Sequence, residues 1–289
     1  MSRVSIILKS SLIGLIAATA VAVVAAQAED APLKHLLPDT IQSQGFLSVA
    51  SEIQYPPFET FAEDNKTVVG IDADIAAAIG KELGVELRFV STSFDAIIPG
   101  LVAKRYDMAM SAMTDNKKRQ QQVDFVDYFG SGGGIMARTA DKDKYVALDD
   151  LCGVIVGLAK GTTEVNDAEQ QSAKCQKEGK PAIDSQVFAR QDQMVLALQS
   201  GRVNVAMADA PNAAATAQNS KGQLVLTGPA YTKSLFGIVI PKGSDQLAKA
   251  IQSAVQKIMD DGTYLEILKK YGQENNAIST ATINGGVTD

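Results

Sequence analysis

Few residues in this chain of 289 are equipped for chemistry, and their scarcity is informative. One histidine, His35, and two cysteines, Cys152 and Cys175, cannot build a histidine-rich zinc centre or a four-cysteine site. No metal or other cofactor is called for. The glycine-rich run Gly130-Ser131-Gly132-Gly133-Gly134 is followed by neither Lys-Ser/Thr nor a helix start, so it does not read as a phosphate loop. It reads as a flexible crossover between two parts of the chain. The most pointed cluster is Asn116-Lys117-Lys118-Arg119. Asn116 is a good helix N-cap, which puts three cations in a first helical turn, where they oppose the helix dipole. Propensity does not explain them there. A solvated basic face accounts for Lys117 and Lys118.

A second pattern concerns placement. The segment from Phe94 to Ala112 lies over Gln191 to Asp209 at a constant offset of 97, with Asp95/Asp192, Leu101/Leu198, Arg105/Arg202, Ala109/Ala206 and Met110/Met207 identical. Each copy reads as a helix feeding a strand, which implies two similar α/β lobes. Open α/β sheets bind ligands beyond the carboxyl ends of their strands. That singles out Ser111-Ala112-Met113-Thr114 in the first copy and Ala208-Asp209 in the second, brought together if the lobes face each other. Asp209 also stands where it can cap a helix beginning at Ala210-Pro211, and the two roles are compatible.

The elements around these segments alternate between short apolar runs and helical patterns. Phe46 to Ala50, Leu87 to Val90, Met108 to Met110, Val154 to Leu158, Gln186 to Phe188, Val203 to Met207 and Leu224 to Leu226 read as strands. Ile71, Ile75, Ile79 and Leu83 recur every four residues as one face of a helix, with Asp72 and Asp74 at its positive end. Leu247, Ile251, Val255 and Ile258 mark a long helix stopped by Gly262, and Tyr264 to Tyr271 a last one stopped by Gly272.

The apolar content of 46% and net charge of −6 exclude a disordered chain and argue against nucleic acid or another polyanion as partner. Arg3 and Lys9, the apolar run from Leu12 to Ala26, and Ala26-Gln27-Ala28 describe a secretory signal peptide over residues 1–28. No cysteine stands at the cleavage point to take a lipid, so a free periplasmic protein is expected. Loss of Arg3 and Lys9 takes the charge from −6 to −8. In an oxidising compartment Cys152 and Cys175 are expected to pair as a disulfide, rather than remain two buried thiols.

Several motifs, in order, resemble one family. They are Glu52-Ile-Gln-Tyr-Pro-Pro-Phe-Glu59, Gly70-Ile-Asp-Ala-Asp-Ile75, Phe94-Asp-Ala-Ile-Ile-Pro99, Met113-Thr-Asp-Asn-Lys-Lys-Arg119 with Val-Asp-Phe125, Lys160-Gly-Thr-Thr163, and Asp260-Asp-Gly-Thr-Tyr264. Together they are similar to the polar amino-acid branch of bacterial extracellular solute-binding proteins, the periplasmic receptors of ABC importers. The likeness spans about residues 40 to 275. It implies a type II periplasmic-binding-protein fold, two α/β lobes joined by two hinge crossovers. The first lobe would take 29–130 and 236–275 and the second 131–235, with 276–289 a polar tail that frays.

The resemblance also implies roles. Arg119 would take a ligand α-carboxylate in a bidentate pair, helped by Thr163 at a helix start and by Thr114, Ser111 and Ala112. Ala112 stands where relatives carry Gly or Ser, so no hydroxyl is offered there. Asp209 would take the α-ammonium, and Tyr55 and Phe94 would sandwich the side chain. Glu52 stands where relatives that bind arginine, lysine or histidine carry an acid, which points to a basic amino acid. Gln54, Lys160 and Gln191 are further candidates for lining the cleft, although Lys160 would favour an acidic ligand instead. The expected function is therefore a monomeric amino-acid-binding component that delivers its ligand to ABC permease subunits, not an enzyme. The alternative on the same scaffold is a cyclohexadienyl or arogenate dehydratase, with Glu52 or Glu164 drafted as general acid.

Overall fold

The computed structural model describes residues 31–288; the expected signal peptide lies outside the described residues. Two sheets carry the architecture. The first runs in the order Glu86–Ser91, Phe46–Ser51, Met108–Ala109, Ser234–Pro241, Thr114–Asp115, with Val123–Ser131 also paired to Ser234–Pro241. The second runs Asp184–Phe188, Ile155–Ala159, Val205–Asp209, Gly133–Arg138, Leu224–Thr227. In each sheet three parallel strands are followed by an antiparallel one that arrives from the other sheet or leaves for it. The two copies of the internal echo occupy the same place, since Met108–Ala109 and Val205–Asp209 are each the third parallel strand.

Helices cover both faces of the sheets because their apolar stripes demand it. Ile71, Ile75, Ile79 and Leu83 are fully buried, as the four-residue spacing predicts, and Ile71–Leu83 packs with Asp245–Asp260 over one face of the first sheet. Ile97 and Leu101 fill the other face. In the second sheet Met194, Leu198 and Ala213 line one side, and Ala168 of the helix Thr163–Lys177 lies on the other.

The glycine run is the crossover. Val123–Ser131 leaves the first sheet, passes Gly132 and becomes Gly133–Arg138 of the second; the return runs from Leu224–Thr227 to Ser234–Pro241. The two passages are pressed together. A Cβ on Gly132 would stand 2.1 Å from the Thr232 carbonyl oxygen, and one on Gly133 would stand 2.2 Å from the Tyr231 ring. The Gly133 amide donates to Thr232 Oγ1 at 2.8 Å. Glycine is needed here for close approach of backbones rather than for looseness alone.

The polar segment after residue 275, expected to fray, packs instead. Ile283 bridges Val126, the Thr282 carbonyl accepts from the Asp127 amide at 2.8 Å, and the Asn284 amide donates to the Phe125 carbonyl at 3.0 Å. Its side chains and glycines find fixed partners on the first lobe, which composition alone does not reveal.

Cys152 and Cys175 form a disulfide with Cα atoms 5.6 Å apart, tying the turn before Ile155–Ala159 to the helix Thr163–Lys177. Replacing both cysteines with serine is expected to lower unfolding free energy by about 3 kcal/mol, the chain entropy of a loop of this size. Urea denaturation of the oxidised parent and the double variant checks it.

Candidate functional site

The site lies where the strands of both sheets end. Phe46–Ser51 runs into Glu52, Met108–Ala109 into Ser111 and Ala112, Ile155–Ala159 into Gly161-Thr162, and Val205–Asp209 ends on Asp209 itself. These ends close on one cavity, lined by Glu52, Tyr55, Phe94, Ser111, Ala112 and Thr114 with Arg119 from the first lobe. The second lobe contributes Ala159, Thr162, Thr163, Glu164, Gln191 and Asp209.

Arg119 sits on the one-turn helix Lys117–Gln120, and the expected cap is present: Asn116 Oδ1 accepts from the Arg119 amide at 2.8 Å. The guanidinium is buried, with 9% of the residue exposed. Nη1 donates to the Thr114 carbonyl at 2.7 Å and Nη2 to the Gly161 carbonyl of the other lobe at 3.0 Å. Its carbon lies 5.5 Å from the centre of the Phe94 ring. Among the described residues no carboxylate forms an ion pair with it, so donors remain for an anion.

The first-lobe wall is held from behind by two buried acids. Ser111 Oγ donates to Glu59 Oε1 at 2.9 Å and accepts from the Glu52 amide at 3.0 Å. Asp72 Oδ2 accepts from the Ala112 amide at 3.1 Å, and Asp72 Oδ1 accepts from the Tyr128 hydroxyl at 2.6 Å. Ala112 needs that hold, because its φ of 44° lies in the left-handed region that favours glycine. Burial pushes Asp72 up to about 6 and, with Asp72 beside it, drives Glu59 well above the usual carboxylate range.

On the second lobe Asp209 stands at the N-cap position of Ala210–Asn219, yet its side chain makes no capping bond. Its Oδ2 accepts from the Tyr55 hydroxyl of the first lobe at 2.7 Å. Burial raises its pKa well above the ordinary value, and Glu164 adds to the shift. Glu164, at the start of Thr163–Lys177, is buried and likewise raised, by desolvation first and then by Asp167. Glu52 is raised by burial and partly relieved by Arg190, and its Oε1 is buried without a hydrogen-bond partner among the described residues. A third bridge between lobes runs from Gln191 Nε2 to Asn212 Oδ1 and from Asn212 Nδ2 to the Pro56 carbonyl, both at 2.8 Å.

Nine of the ten side chains expected at the site thus meet around one cavity, and Lys160 does not. Lys160 is largely exposed and pairs with Asp95 of the first lobe at 2.8 Å, because the acid at the rim satisfies it before the cavity is reached. Gln54 is also absent from the lining, whereas Gln191 is part of it. Ala159, Thr162 and the place of Glu164 in the cavity lining were missed. The signal available was the helix start at Gly161-Thr162-Thr163, whose next residue necessarily faces the same space. Tyr55 lines the cavity as expected, and its hydroxyl also reaches across the cleft to Asp209, a contact that the sequence did not disclose.

The two sheets thus close over a buried cation and several buried acids, the arrangement of a small-molecule cavity between lobes. The chain belongs to the bacterial extracellular solute-binding proteins, family 3, whose sequence profile matches residues 47–274. It is 29% identical over 253 residues to an arginine-binding protein of Corynebacterium glutamicum, covering 87% of this chain and 82% of that one. It is 33% identical to the structure of an ancestral arginine-binding protein bound to arginine, with a TM-score of 0.71, covering 78% of this chain and 98% of the other. An ancestral amino acid-binding protein, a precursor of cyclohexadienyl dehydratase, is 29% identical with a TM-score of 0.72, over 81% of this chain and 98% of that one. The fold is that of the type II periplasmic binding proteins.

A carboxyl whose pKa is raised by folding holds a proton that the unfolded chain releases. It therefore penalises the folded state progressively as pH rises from its unfolded value near 3.8 to its folded value, near 6 for Asp72. The ligand-free protein is expected to be more stable at about pH 5 than at about pH 8, and Asp72→Asn with Glu59→Gln to shrink the difference. Denaturation midpoints at the two pH values read this directly; a difference that persists unchanged in the double variant refutes the assignment of the pH dependence to this pair.

Proposed function

We propose that the protein binds a free basic amino acid, arginine foremost, between its lobes and presents the closed form to the membrane subunits of an ABC importer. The observation that carries this is the charge balance of the cavity: one buried cation, Arg119, against three buried acids, Glu52, Glu164 and Asp209. A zwitterionic amino acid uses Arg119 for its carboxylate and one acid for its ammonium, which leaves acid in excess. A cationic side chain reduces that excess, and a second carboxylate adds to it.

In this reading Arg119, with Thr163, Thr114 and the turn at Ser111 and Ala112, takes the α-carboxylate. Asp209, with Glu164 beside it, takes the α-ammonium. Tyr55 and Phe94 pack on the ligand side chain, and Glu52, whose Oε1 lacks a partner, receives its distal cation. The relatives named as arginine binders support this choice. The protein acts as a monomeric periplasmic component without enzymatic activity; its family is extracellular, and no described helix is long and apolar enough to cross a membrane. That the dehydratase precursor is itself an amino acid-binding protein supports binding over turnover.

Refolded, ligand-free protein titrated with the common amino acids in a calorimeter tests the reading. Arginine should bind, with glutamate and aspartate silent; preference for an acidic amino acid, or turnover of prephenate or arogenate, refutes it. Arg119→Ala should weaken arginine by between about 10- and 100-fold while the protein stays folded, the worth of a charged hydrogen-bond pair. Glu52→Gln should weaken arginine about tenfold or more and leave glutamine little changed.

A further inference from the structure

Residues 277–288 follow the stretch that matches the family profile, and the binding reading gives them no role. Their path is nevertheless specific. The Ile278 amide donates to the Tyr264 hydroxyl at 3.0 Å, and the Ala281 amide to Gln256 Oε1 at 3.0 Å, which carries the segment across the helix Asp245–Asp260. Ile283 then pairs with Val126, and the Gly285 amide donates to Asp127 Oδ2 at 2.9 Å.

The last residues reach the short turn that bears Arg119. The Gly286 amide donates to Asp115 Oδ2 at 2.7 Å, the Gly286 carbonyl accepts from Gln120 Nε2 at 3.0 Å, and the Thr288 carbonyl accepts from the Lys117 amide at 2.9 Å. These contacts bracket Arg119 on both sides. A helix of one turn has no cooperativity of its own to hold its shape. Asn116 satisfies one of its free amides and Thr288 another, so the strap completes the cap. The fit is close: a Cβ on Gly286 would stand 2.2 Å from the Asp115 carbonyl oxygen, so only glycine passes there.

We propose that residues 286–288 are positioning residues for Arg119, a carboxyl-terminal strap that sets the guanidinium where a ligand's α-carboxylate meets it. The inference rests on the reading of Arg119 as the carboxylate partner. Residues 276–285 anchor the strap on the first lobe, and 286–288 act on the site through the side chains of Asp115 and Gln120 and the backbone amide of Lys117.

The test compares L-arginine with L-argininamide, which has the same side chain and ammonium but no α-carboxylate. Two variants are used, a chain ending after Gly285 and the full-length Gly286→Ala. Each should keep an unfolding midpoint close to the parent and lose about fivefold to tenfold in arginine affinity, with argininamide changed by less than about twofold. Equal losses for both ligands indicate a merely structural role and overturn the proposal, as does unchanged arginine affinity. Arg119→Ala separates the two levels. If it leaves the preference for arginine over argininamide intact, the carboxylate reading itself fails; if it erases that preference and the strap variants leave it unchanged, only the strap fails.

Discussion

One buried guanidinium organises this molecule. Arg119 gives a hydrogen bond to a carbonyl of each lobe, Thr114 on its own side and Gly161 on the other, and keeps the rest of its donors for the space between. A cation taken out of water without a carboxylate partner is costly, and two carbonyls compensate only part of that cost. The closed arrangement is therefore poised for an anion. Each neighbouring feature serves to hold the charge there: the Asn116 cap, the Phe94 ring against its face, and the strap on its turn.

The fold supplies this geometry through two repeated decisions. Each sheet places its third parallel strand beside an antiparallel crossover strand, so the carboxyl ends of the strands in both lobes open towards the same cleft. The crossovers then keep the lobes facing. Gly132 and Gly133 let the outward chain lie directly on Tyr231 and Thr232 of the returning one, which makes the link narrow and its two passages mutually supporting. A narrow link lets the lobes change their separation without disturbing either core, as in hinge closure generally.

What the sequence disclosed follows from range. Local patterns were legible: the four-residue spacing of Ile71, Ile75, Ile79 and Leu83, the capping of Lys117–Gln120 by Asn116, and the helix-to-strand echo at an offset of 97. The contacts that close the cleft were not. Tyr55 and Asp209 lie 154 residues apart, and nothing local to either says that one hydroxyl will reach one carboxylate. Asp209 illustrates the limit, since a cap and a ligand-facing acid look alike before Ala210-Pro211, and only its unused capping geometry separates them. Lys160 misled because a cation beside a binding loop is equally a rim residue, and Asp95 across the cleft decides the matter. The terminal strap misled in the opposite way. A polar run with Gly285-Gly286 has the composition of a fraying end, yet those glycines are what allow it to lie against Asp127 and Asp115 in turn.

The acids determine what closure requires. Direct contacts between lobes, Tyr55 to Asp209, Asn212 to Pro56 and Arg119 to Gly161, are each worth on the order of 1 kcal/mol, and the solvent-screened pair of Lys160 and Asp95 adds little. Against them stands the burial of Glu52, Glu164 and Asp209, which raises the pKa of all three carboxyls. The lobes therefore have two ways to close: with protons on the acids, or with a cation among them. In the proposed reading, a ligand bearing two positive groups and one carboxylate answers Arg119 and two of the three acids at once, a match it forgoes in the open form, where water takes their place. Differential affinity for the closed state is what shifts such an equilibrium. In the proposed reading that difference resides in the unmatched charge of the cavity, not in the contacts the lobes make with each other.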